Sequence, residues 1–192
     1  MPRPSQNIDA KLIELGKKQM MQNGIANLSI RAICIESKIN LGMFFYHFKS
    51  KENFIKILLK NYHEDVRNHW FKESEGITNS LDRLKSALRM SARFVKEQRG
   101  AFETIFKDMN FSDKVFMESF KEMHASGWNF YSKLITDCQN DSYIDKNTEV
   151  EKIFSILTGS VISYAKHCEI HNYENYYVKV DEMIDYLIEK LK

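Results

Sequence analysis

Proline is nearly missing from this chain of 192 residues: only two occur, both within the first four positions, and the seven glycines are scattered. Helix breakers and hairpin turn signals are therefore scarce, which excludes a β-rich architecture and favours long uninterrupted helices. Cysteine is also sparse. Cys34, Cys138 and Cys168 are odd in number and far apart, and each sits in an apolar helical pattern. That excludes a disulfide scaffold and points to buried, reduced thiols in a reducing compartment. Long hydrophobic runs are lacking as well. The first nine residues have no apolar signal core, and the least polar stretch, residues 153 to 165, is interrupted by Ser155, Thr158 and Ser160. Neither secretion nor membrane spanning is expected, and a cytoplasmic location is. No glycine-rich phosphate loop, zinc-protease motif, nucleophile elbow or cysteine-pair metal motif is found. Enzyme activity and a bound cofactor are accordingly not expected.

What is present is charge of uneven sign. Residues 1 to 60 carry ten Lys/Arg against four Asp/Glu, whereas the rest of the chain is net acidic. A basic front on an acidic body suits a polyanion-binding part joined to a part that is not. Along the chain, Leu12, Leu15 and Met20 trace a first helix that closes at Asn23-Gly24. Ser29 is placed to cap a short second helix carrying Ile30, Ile33 and Cys34, and Asn40 to cap a third that runs to His47 or Phe48. Ser50 opens a long fourth helix, with Glu52 near its positive end and Phe54, Ile55, Leu58, Leu59 and Tyr62 on its apolar face.

After a break at residues 75 to 80, Leu81, Leu84, Leu88, Ala92 and Val95 predict a fifth helix. A short aromatic helix is expected over Phe102 and Phe106, then a long one from about Ser112 to Gln139. Val150 to Cys168 and Tyr177 to Leu191 predict the last two, about nine helices in total.

Two short helices joined by a tight turn in a basic setting have the layout of a helix-turn-helix. The string LSIRAICIESKINLGMFFYHFKSKENFI, residues 28 to 55, sharpens that reading. It closely resembles the DNA-binding signature of the TetR family of bacterial regulators, in which an aromatic pair, histidine and phenylalanine end the recognition helix. Here Phe45, Tyr46, His47 and Phe48 take those places, followed by Lys49, Ser50, Lys51 and Glu52. The resemblance covers about residues 8 to 60.

It implies an all-α protein with a three-helix DNA-binding domain at residues 1–50 and a larger helical ligand-binding and dimerisation domain at 51–192. The implied partners are a double-stranded DNA operator, a second copy of the chain and a small apolar or amphipathic effector. Ser29, Tyr46, His47 and Lys51 would contact phosphates, and Phe45 also falls among the DNA-binding residues but lacks a hydroxyl for phosphate. Asn40, Leu41, Gly42 and Met43 would reach the base edges, with sparse hydrogen-bonded readout, and Arg31 is the best polar contact to guanine or phosphate.

Departures from the family are visible in the same string. Lys38 stands where the family commonly has the turn glycine, so either a lysine is left-handed at a cost of about 1 kcal/mol or the turn differs. Cys34 replaces an alanine, and Phe45 replaces a tyrosine. Lys38 and Phe45 keep open a second reading, a helical small-molecule carrier that has lost operator binding.

Beyond residue 60 the analogy is architectural. The stripes Val150, Ile153, Leu157, Val161, Tyr164 and Val180, Ile184, Leu187, Leu191 suit a dimer interface. They could equally cover the protein's own core, but Met183 and Ile188 add a second apolar edge that favours a partner. Trp70, Phe94, Phe102, Phe106, Phe116, Phe120, Trp128 and Tyr131 are the aromatic candidates for an effector pocket. His167 and His171 have a chelating spacing, but without a third ligand no metal site is expected.

Overall fold

The structure, a computed structural model, describes residues 4–97 and 114–192. Among the described residues there are eight helices and no strand: α1 (Pro4–Asn23), α2 (Ile30–Ser37), α3 (Leu41–Phe48), α4 (Lys51–Ser74), α5 (Ser80–Glu97), α6 (Lys114–Asn140), α7 (Val150–Ile170) and α8 (Tyr176–Lys190). The all-helical expectation is borne out. The short helix expected over Phe102 and Phe106 falls outside the described residues. No described helix is long and apolar enough to cross a membrane. The chain forms two compact units, residues 1–65 with 100–123 and residues 66–99 with 124–192, so α4 and α6 each contribute to both.

In the first unit, α1 packs on α2 and α2 on α3. Its core holds Leu12, Met20, Leu28, Ile33, Phe44, Phe48, Phe54 and Leu58. Gly24, at φ 80°, ends α1 with its N–H on the Met20 carbonyl at 3.0 Å, the left-handed stop expected from the sequence. The N–H of Asn53 donates to Ser50 Oγ at 3.1 Å, which caps α4.

Gly16 has a role that the sequence did not disclose. A Cβ there would lie 2.6 Å from Phe54 Cζ and 2.9 Å from Leu58 Cδ2, so side chains of α4 close on the α1 backbone where an added methyl would have to displace them.

The core of the second unit runs from Leu84, Leu88 and Ala92 of α5 through Tyr131, Leu134 and Ile135 of α6 to α7 and α8. Two buried hydroxyls are satisfied by backbone. Tyr176 donates to the Ala92 carbonyl at 2.6 Å, and Tyr131 donates to the Ala87 carbonyl at 2.8 Å. All three cysteines are free and buried, and burial pushes the Cys138 thiol up to about 11.

The stripes read as a dimer seam serve differently. Ile153, Leu157, Val161, Val180 and Ile184 are each at most 2% exposed, and Val150, Tyr164, Leu187 and Leu191 pack against the same cluster. The first five are buried in the protomer's own core, and the other four are half-buried against it. Ile188, the extra apolar residue on α8, is also buried within it. The reason is geometric: a helix lying on one layer already needs a stripe about 100° wide, so a seam of ordinary width carries no surplus for a partner.

Because overpacking at a closed contact costs about 1–3 kcal/mol, Gly16→Ala is expected to destabilise the protein by that amount in urea unfolding. Ala at Gly127, where an added Cβ meets nothing within 4 Å, is the control and should not destabilise.

Candidate nucleic-acid interface

Each half of the helix-turn-helix is fixed by a cap that the sequence specified. Ser29 is extended at φ −104° and its Oγ accepts the Ala32 N–H at 3.3 Å, while its own N–H donates to Gln19 Oε1 of α1 at 3.2 Å. The start of α2 is thereby tied to α1. Asn40 is extended at ψ 160°, and its Oδ1 accepts the Met43 N–H at 2.8 Å.

Between them Lys38 is left-handed, at φ 62° and ψ 38°. Of the two alternatives left open by the missing turn glycine, the lysine takes the left-handed conformation. The Lys38 N–H reaches the Ile35 carbonyl at 3.1 Å, and the Ile39 N–H reaches that of Cys34 at 3.0 Å. The end of α2 closes as a glycine would close it.

Phe44 and Phe48 turn inward from α3, and the opposite face is open. Leu41, Met43 and Phe45 are 36%, 37% and 45% exposed, and Tyr46 is 74% exposed. Gly42, Asn40, Ser29 and Arg31 are also exposed, and Lys51 is half-buried. One predicted residue differs in kind. The His47 side chain is only 9% exposed, and its Nδ1 lies 2.6 Å from Asp9 Oδ1 of α1. It therefore ties α3 to α1 through a carboxylate partner that no motif signalled.

Lys49, at φ 65°, folds back so that its Nζ donates to the Tyr46 carbonyl at 2.8 Å and lies 5.2 Å from the Tyr46 ring centre. That orders the exposed phenol at the end of α3. Sequence reasoning also passed over Ile35, which is 79% exposed one helical turn after Arg31. Its period marks it as outward-facing, but its apolar character suggested nothing beyond α2.

Four of the eight aromatic candidates for an effector site, Tyr131, Trp128, Phe94 and Phe120, have described side chains. Tyr131 is a core residue hydrogen-bonded to Ser91 at 2.7 Å, and Trp128 packs edge-on against Phe154 at 5.5 Å. Phe94 and Phe120 are half-buried and belong to different units. Phe102 and Phe106, with the side chains of Trp70 and Phe116, lie outside the described residues. A cleft of about 890 Å³ does open within the second unit, where Arg67, Lys72, Arg83 and Lys133 surround Phe71 and Phe130. Among the described residues no group of three or more His, Cys, Asp or Glu is arranged to hold a metal ion.

This geometry defines a capped helix-turn-helix with an open, cation-flanked face, in a chain whose remainder is a separate helical unit. Residues 12–56 match the family described as bacterial regulatory proteins, tetR family. Solved structures share the fold over nearly the whole length. One is a TetR-family transcriptional regulator from Rhodococcus sp., described as putative, at 15% identity and TM-score 0.75, covering 95% of this chain and 99% of that one. Another is NemR of E. coli in its reduced form, at 11% identity and TM-score 0.78, covering 94% and 97%. A third is FadR of Bacillus subtilis in complex with stearoyl-CoA, at 12% identity and TM-score 0.72, covering 95% and 96%. No curated protein matches the chain.

The left-handed Lys38 generates a stability prediction. Replacing a left-handed residue with glycine removes a side-chain penalty of about 1 kcal/mol, partly offset by the greater freedom of glycine when unfolded. Lys38→Gly should raise the urea-unfolding free energy by about 0.5 kcal/mol, whereas Lys38→Val should lower it.

Proposed function

We propose that this protein is a cytoplasmic transcription regulator that binds a palindromic operator as a homodimer and represses until a small effector weakens its grip. The carrying observation is the exposure of the outer side of α3 and of the start of α2, where Ser29, Arg31 and Tyr46 are exposed and Lys51 is half-buried. Hydroxyl, guanidinium and ammonium groups beside helix N-termini suit phosphate oxygens, and the exposed start of α3 suits the major groove. Two such helices about 34–36 Å apart would read successive major grooves.

The dimer is proposed through the faces of α7 and α8 that the protomer leaves open. On α7, Ile156, Ile162 and Ile170 are 42%, 44% and 64% exposed, interleaved with the exposed Gly159 and Ser163. On α8, Val178 and Tyr186 are both 56% exposed. Small residues among isoleucines let two helices approach closely, and a self-complementary face of this kind suits a two-fold partner. The effector is proposed to be amphipathic and to bind in the second unit, whose cleft combines cations with aromatic carbon. The B. subtilis FadR complex with stearoyl-CoA supports a ligand of that character. Because α4 and α6 each contribute to both units, a change in the second has a covalent route to the first.

Two measurements test these claims. In fluorescence-anisotropy titrations on DNA from upstream of its own gene, wild type should bind tightly and more weakly as salt rises. The Tyr46→Ala, Lys51→Ala double variant should lose about tenfold or more in affinity and show a shallower salt slope. Equal, weak binding by both on selected DNA pools would instead favour a carrier. In sedimentation, wild type should run as a dimer and Gly159→Arg, which meets open space within the protomer, as a folded monomer. A dimeric Gly159→Arg would place the interface elsewhere.

A further inference from the structure

We propose that the protein recognises its operator chiefly through the 5-methyl groups of thymine, read by the apolar face of α3, and not through hydrogen bonds from α3 to base edges. The proposal rests on the helix-turn-helix reading above and assigns its specificity.

Side chains that discriminate base pairs by hydrogen bonding in the major groove are mainly Arg, Lys, Asn, Gln and the acids. From Leu41 to Phe48, α3 contains none of them. The nearest is Asn40, and bidentate reading of adenine needs both atoms of its amide. Its Oδ1 is already engaged by the Met43 N–H at 2.8 Å, in the cap that begins the helix. His47, at the other end, is engaged with Asp9 and nearly buried.

What α3 offers in place of polar readers is carbon. Leu41, Met43 and Phe45 keep 36–45% of their surface exposed although Phe44 and Phe48 beside them are buried. Gly42 lies among them, and a Cβ there would meet only Asn40 Oδ1, at 3.2 Å. That contact is tight but involves the end of one side chain only, and the bare backbone of Gly42 also allows close approach to a surface from outside.

Charge around this patch identifies the occupant. Arg31, Lys38 and Lys49 are exposed and Lys51 is half-buried, all on the segments that immediately flank α3. The matching surface is apolar where it meets α3 and anionic around it. A major groove rich in thymine has that character, with methyl groups projecting from the floor between two walls of phosphate. Arg31 is then the one strong hydrogen-bonding reader in each half-site, and the operator should combine a thymine run with a single guanine.

The test starts from duplexes selected by the full-length protein from a random pool, then resynthesised with deoxyuridine replacing thymine in the half-sites. Deoxyuridine keeps every hydrogen-bonding group of thymine and lacks only the methyl. Removing one buried methyl should weaken wild-type binding about fourfold, and on the order of tenfold when one is removed from each half-site. In Leu41→Ala, Met43→Ala the same replacement should change affinity less than twofold. Met43→Ala alone, at an exposed position, is the second variant should the double one fail to fold.

Equal binding of thymine and deoxyuridine duplexes by wild type overturns the inference and leaves the regulator reading intact. So does an equal loss in wild type and variant, which would mean that the methyls act through DNA shape. Failure to select any duplex with salt-dependent affinity would overturn the regulator reading itself.

Discussion

Contact among Phe44, Phe48 and Phe54 is the constraint on which the DNA-facing geometry depends. The three rings meet at centroid distances of 4.6–5.1 Å and are all but excluded from solvent. An isolated helix of eight residues is not stable in water, so α3 exists as a helix because its inner face is held against α4. Fixing residues 44 and 48 inward turns 42, 43 and 46 outward, while Leu41, at the start of the helix, and Phe45, at the edge of the inner face, stay partly exposed. Gly16 extends the same constraint to α1 by letting it settle on Phe54 and Leu58. One aromatic cluster therefore sets which side chains can reach a duplex.

Both ends of α3 are bounded by lysines in positive-φ conformations, Lys38 before it and Lys49 after it. A glycine would adopt either conformation at lower cost, by about 1 kcal/mol. Lysine adds a cation at each end of a helix whose outer surface is otherwise carbon. At Lys49 the side chain also returns to the Tyr46 carbonyl and ring, so part of the backbone cost is offset by ordering an exposed aromatic. Strain of this size at a binding surface is common where the surroundings over-determine the backbone.

Much of this was legible in the sequence because it is local. Caps at Ser29, Asn40 and Ser50, the glycine stop at residue 24 and the three-four spacing of apolar residues each act within one helical turn, and each appears in the structure as the residue types imply. What was not legible depends on residues distant in sequence. The Asp9 partner of His47 and the crowding at Gly16 arise from approaches between helices that no local period encodes. The stripes on α7 and α8 show the same limit of a local pattern. A period identifies an apolar face but not what that face meets, and the cluster shared with α5 and α6 absorbed it.

Charge follows the same division between what the protomer satisfies internally and what it leaves open. Within the second unit many charges cancel in pairs: Lys85 meets Asp185 at 2.6 Å, Arg89 meets Asp181 at 2.5 Å and Lys179 meets Glu182 at 2.9 Å. In the first unit Lys17 pairs with Asp65 and Lys18 lies 3.5 Å from Glu36, but no acidic partner stands against Arg31, Lys38 or Lys51 among the described residues. Exposed pairs contribute little to stability, typically below about 1 kcal/mol. Their consequence is for the field: paired charges cancel at a distance, and unpaired ones add. The positive potential therefore comes from the residues around α3, although the whole chain carries a net charge of only +2. On the proposed function, long-range attraction would bring a polyanion to the residues around α3, and the carbon side chains of α3 would act only after contact, where a methyl group can be distinguished from its absence.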